Sequence, residues 1–112
     1  SIDTEIEASL AEDDNSHGCF TRAYVTCTFA PKGAASPWSS LSLSALTDAG
    51  LARIWSDWLA ARLARHSATD SGPALEIVRL ATDGYWLASL QGHAPPSAEA
   101  LRLRLLAATR LP

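Results

Sequence analysis

Residues 47–66, TDAGLARIWSDWLAARLARH, constrain the fold more than any other stretch of the chain. Leu51, Ile54, Trp55, Trp58, Leu59 and Leu63 recur at intervals of three and four, with Arg53, Asp57, Arg62 and Arg65 between them. That spacing predicts a helix with one apolar face. Thr47 or Asp48 can cap its start, and Arg62, Arg65 and His66 suit the negative end of its dipole. A second helix is predicted in the closing stretch APPSAEALRLRLLAATRL, where Pro95 and Pro96 precede Ser97 as cap. Leu101, Leu105 and Ala108 form its inner stripe. Leu103 and Leu106 lie well round the helix from Leu101, so one stripe cannot bury all four leucines. A second surface is expected to cover them, either a partner or the linker that contains Trp38.

Most of the remaining chain alternates like strand. IDTEIEASL sets Ile2, Thr4, Ile6, Ala8 and Leu10 against Asp3, Glu5, Glu7 and Ser9. CFTRAYVTCTF sets Cys19, Ala23, Val25, Cys27 and Phe29 against Phe20, Arg22, Tyr24, Thr26 and Thr28. With the turn-forming AEDDNSHG between them, residues 2–29 are predicted to be a hairpin whose outer glutamates meet Arg22 across the strands. After the breaker segment APKGAASP, WSSLSLSAL reads as a short third strand. ALEIVRLATDGYWLASLQG reads as two more, joined by Asp83-Gly84 in a type I′ turn. The order β-β-(β)-α-β-β-α predicts an α+β two-layer sandwich, an antiparallel sheet of 4–5 strands with two helices on one face. A chain of 112 residues is expected to form one domain over 1–112. It contains no methionine, so Ser1 follows either a removed initiator or an upstream segment.

With 47% apolar residues, 19% charged residues and a net charge of −3, the chain should fold. Nine basic residues stand against twelve acidic ones and form no stripe, which argues against a nucleic-acid partner. No apolar run is long enough for a membrane span and the N-terminus lacks signal-peptide flanks, so a cytoplasmic protein is expected. On an unbroken strand Cys19 and Cys27 would lie about 27 Å apart, beyond the ~4.4–6.8 Å of a disulfide. Neither a metal site nor a cofactor is expected, because no C-x-x-C or H-x-x-x-H pair occurs. His17, Cys19 and the acidic turn Glu12, Asp13, Asp14 are the one arrangement that could serve chemistry, with Cys19 as nucleophile.

The second half resembles the small acidic chaperones of bacterial type III secretion (the class I type). The resemblance rests on SGP at 71–73, ALEIV and YWLASLQ around Asp83-Gly84, and the closing PPSAEALRLRLLA. It implies a homodimer without catalytic residues that holds an extended segment of a secreted effector. It also implies that Trp55 and Trp58 lie near the dimer seam and that Trp86 offers groove surface. The expected function is therefore a non-enzymatic protein-binding module that contacts partners through Trp55, Trp58, Trp86, Leu103 and Leu106. The alternatives are a small enzyme or ligand-binding domain using the His17/Cys19 turn, or an assembly subunit cut from a larger protein.

Overall fold

In the computed structural model, which describes residues 1–30, 44 and 46–112, the elements are helices: α1 (Ile2–Ala11), α2 (Cys19–Phe29), α3 (Ala49–Arg65), α4 (Ser67–Asp70), α5 (Pro73–Leu90) and α6 (Ala98–Ala108). There is no strand among the described residues, which overturns the α+β sandwich and its sheet. The expected hairpin over 2–29 is the helix pair α1 and α2. Ile2, Ile6 and Leu10 are four apart, and an even spacing of four satisfies both strand alternation and one face of a helix. Ile6 and Leu10 are buried on the helical reading. The expected Asp83-Gly84 turn lies inside α5, where tertiary packing overrides the local preference of the pair. The third strand falls outside the described residues apart from Ser44, which is helical, and Leu46, which is in a turn.

Helix α2 is the axis of the fold, and α1, α4, α5 and α6 pack on it. Nine of its eleven residues are buried, so it has no polar face. Ile6, Leu10, Cys19, Phe20, Ala23, Tyr24 and Cys27 make one core cluster, against which Trp55, Trp58, Leu59 and Leu63 of α3 pack. Val25, Val78 and Leu105 make a second, flanked by Phe29, Leu101 and Leu106. The two thiols are both buried. In a helix they are separated by about 12 Å rather than the strand distance, still beyond disulfide range.

Polar side chains lock the ends of these helices. Asp48 caps α3 by accepting from the Gly50 and Leu51 amides, and Ser97 caps α6 through the Ala100 amide. Arg62 is buried and ties α3 to α1, donating to Asp3 at 2.7 Å and Glu7 at 2.9 Å. Arg22 is not paired with the glutamates of α1. It donates to both oxygens of Asp13 at 2.9 Å, to the His17 carbonyl at 2.6 Å and to the Thr109 hydroxyl at 3.3 Å, and so ties the 12–18 loop to the end of α6. Gly18 sits where these segments meet, at φ +84°, and a Cβ there would stand 2.4 Å from the Thr109 carbonyl oxygen. Only glycine fits that approach.

Candidate functional site

Between α2, α3 and α5 lies a cavity of about 230 Å³ whose described lining is Tyr24, Thr28, Leu46, Trp55, Asp83, Trp86 and Leu87. Each lining residue is placed by its helix. Tyr24 and Thr28 are one turn apart on α2, and Trp55 comes from the apolar face of α3. On α5, Asp83, Trp86 and Leu87 follow at three and four residues. Tyr24 and Trp55 meet edge-on with centroids 6.5 Å apart, and Trp55 also leans on Trp58 at 5.4 Å. The walls are thus aromatic and aliphatic.

One charged group enters this space. The Tyr24 hydroxyl donates a hydrogen bond to Asp83 Oδ1, the one side-chain hydrogen bond of Asp83 among the described residues. Asp83 is exposed as a residue, yet its carboxyl is held above the usual aspartate range. Burial of the group is the main cause, opposed by the Tyr24 bond and the nearby Arg79 charge. The Tyr24 phenol is pushed far up by its own burial, then by the Asp83 charge, so it stays a donor. Thr28 spends its hydroxyl proton on the Tyr24 carbonyl oxygen at 2.9 Å. The side-chain oxygens on the lining are therefore acceptors.

A second carboxylate reaches α2 at its N-terminal end. Asp70 is 2% exposed and accepts from the Phe20 amide at 3.2 Å, the Thr21 amide and hydroxyl at 2.7 Å each, and the Thr69 hydroxyl at 2.7 Å. Gly18 gives α2 no side-chain cap, and Asp70 supplies one from α4. Burial acts to raise its pKa, but the bonds from Thr69, Thr21 and the Phe20 amide outweigh it and hold the carboxyl below its usual value.

The model of one family, the tetracyclin repressor-like C-terminal domain, matches residues 18–110. The chain belongs to that family. No curated protein and no solved structure gives a match. A tetracyclin repressor-like C-terminal domain is the ligand-binding and dimerising part of a transcription regulator and not an enzyme. The family overturns the resemblance to type III secretion chaperones, together with the expectation of a held effector segment. The strand pair on which that resemblance rested, ALEIV and YWLASLQ around Asp83-Gly84, is the single helix α5.

The His17/Cys19 turn has a structural task in the regulator domain. Cys19 is buried, with Sγ directed at the Thr69 hydroxyl (3.5 Å) and Asp70 (3.8 Å). The His17 carbonyl and Asp13 are bound by Arg22. Among the described residues no group of three or more His, Cys, Asp or Glu is placed to hold a metal ion. Of the residues expected to meet partners, Trp55 and Trp86 line the cavity, while Trp58 packs on Phe20 at 6.2 Å and donates to Asp3 at 2.7 Å. Leu106 packs against the second core cluster, and Leu103 is 53% exposed. Tyr24, Thr28, Leu46, Asp83 and Leu87 were not anticipated at the site. No local signal marks them, because their shared cavity is made by helices far apart in sequence.

Proposed function

We propose that this chain is the effector-binding and dimerising domain of a transcription regulator, with the aromatic cavity as effector site and the outer faces of α5 and α6 as the contact with a second copy. The observation that carries this reading is the two-sidedness of α5. Its inner face gives Asp83 and Trp86 to the cavity. Its outer face carries Ala74, Ile77, Leu80, Ala81 and Gly84 at intervals of three and four, all of them exposed, with Ile77 at 65% and Leu80 at 61%. Small residues between larger ones let two helices approach closely, and burying each leucine or isoleucine contributes about 1.5–3 kcal/mol. Leu103 on α6, 53% exposed, is assigned to the same contact, and Leu106 packs against the second core cluster behind it. An effector that shifts α5 would then change how two copies meet. A regulator acts where its DNA is, in keeping with a cytoplasmic site, and among the described residues no helix is long and apolar enough to cross a membrane.

Sedimentation tests the contact. The wild type should be a dimer at micromolar concentration, and Ile77→Glu with Leu80→Glu should be a monomer that keeps its helical circular dichroism. A wild type that sediments as a monomer sinks the proposal.

A further inference from the structure

We propose that the cavity between α2, α3 and α5 takes a compact lipophilic monocation, an aryl or alkyl ammonium, whose charge lies against Asp83 and whose apolar body lies against Trp55 and Trp86. The inference rests on reading this cavity as the effector site and adds the chemical class of the ligand. Three features of the lining converge on a cation. Tyr24, Trp55 and Trp86 line the cavity, and aromatic rings attract an ammonium group once water is excluded. The Asp83 carboxylate accepts one hydrogen bond among the described residues, from Tyr24 to Oδ1, which leaves its second oxygen for a ligand. The hydroxyl protons of Tyr24 and Thr28 are both spent inside the protein, so apart from the indole N–H groups the polar side chains of the described lining can only accept. A carboxylate or phosphate ligand would meet acceptors and a like charge.

The described cation whose charge reaches Asp83, Arg79, is already committed. Arg79 is buried, and its Nη1 donates to the Thr21 hydroxyl at 2.9 Å and to the Asp70 carbonyl at 3.4 Å, on the α4 side of α5. It forms no ion pair with Asp83. At about 230 Å³ the space is smaller than the ~300–1,000 Å³ of drug-sized sites, which limits the ligand to one ring or a short branched chain.

A charge-matched pair of probes tests the class. Phenyltrimethylammonium and tert-butylbenzene have nearly the same shape and differ by one positive charge. Calorimetric titration of the whole chain should show the cation binding at least tenfold more tightly than the hydrocarbon. Asp83→Asn keeps the shape of the side chain and its bond from Tyr24. It should weaken the cation about tenfold, leave the hydrocarbon unchanged and melt within a few degrees of the wild type. Equal binding of the two probes to both proteins would overturn the cation class and leave the cavity as an effector site. Failure of both probes to bind the wild type would overturn the cation class and the effector-site reading together.

Discussion

Asp70 and Asp83 reach the same helix from later parts of the chain, and burial works against the charge of each, but the start and the middle of α2 treat them differently. At the N-terminal end Asp70 meets four donors, from the backbone and hydroxyls of Phe20, Thr21 and Thr69, and its carboxyl is held below the usual range. At the middle of α2 Asp83 meets the Tyr24 hydroxyl, and its carboxyl is held above that range. The first carboxylate is saturated by the fold and has nothing left to offer a ligand. The second keeps hydrogen-bonding capacity beside aromatic surface, at a cost in stability that the fold alone does not explain. Such local inconsistency is where function tends to reside.

The sharpest way to break this contrast is to remove each charge in turn. Asp70→Asn replaces an acceptor with an amide facing donors, at the start of the most buried helix. A loss of about 3 kcal/mol is expected from urea unfolding, from charged hydrogen bonds worth about 1.5–3 kcal/mol each and a missing cap. Asp83→Asn should change stability by no more than about 0.5 kcal/mol at pH 7. Comparable losses at both sites would mean that Asp83 is as structural as Asp70.

The pH dependence of these differences should have opposite signs. Asp70 has a folded pKa below the unfolded value of ~3.9, so its stabilisation is complete above that pH and is lost as pH falls through the folded value. The gap between wild type and Asp70→Asn should therefore close in acid. Asp83 has a folded pKa above ~3.9, so its contribution is most favourable below that pH and declines as pH rises through the folded value. Relative to Asp83→Asn, the wild type should lose stability from acid towards neutrality. Parallel curves for the two variants would erase the distinction between the carboxylates.

Tyr24→Phe gives a smaller effect on the same axis. It removes the one hydroxyl that bonds Asp83 and keeps the ring that packs on Phe20 at 6.2 Å and Trp55 at 6.5 Å. A loss of about 1 kcal/mol is expected, the net value of one hydrogen bond, and the Asp83 carboxyl should rise further as its opposing bond is lost. Titration of the Asp83 carboxyl carbon by NMR would check the direction. An unchanged or lowered titration midpoint would show that Tyr24 does not hold the carboxylate in its charged form.

The sequence makes the two ends of this comparison unequally visible. Asp48 before α3 and Ser97 before α6 are legible because a cap is a local arrangement, complete within four residues. Helix α2 is not legible as a helix. A helix surrounded by others needs no polar face, so its 3.6-residue period fades, and the threonines, valine and aromatics of CFTRAYVTCTF then mimic a strand. Asp83-Gly84 misleads for a related reason, since Gly84 costs a helix only about 1 kcal/mol, less than the packing of Val78, Thr82 and Trp86 on either side of it can supply. The pairs that make the site are 59 residues apart for Tyr24 and Asp83, and 49 for Thr21 and Asp70. No spacing rule reaches across such distances.

The smallest effect belongs to the surface of α6. Arg102 and Glu99 form an i,i+3 pair at 2.7 Å near the start of the helix, with the Glu99 side chain 66% exposed. Water screens such a pair, and the entropy of fixing two long side chains offsets most of the attraction. Glu99→Gln should leave the unfolding midpoint unchanged within error, in contrast to either carboxylate on α2. Glu99 nevertheless lies one turn before Leu103, at the edge of the surface assigned to the second copy. The informative version of the measurement therefore varies protein concentration. Coincident midpoints for wild type and Glu99→Gln across a hundredfold range place the pair outside the contact, whereas a difference that grows with concentration would place Glu99 and Arg102 inside it and widen the interface beyond Leu103.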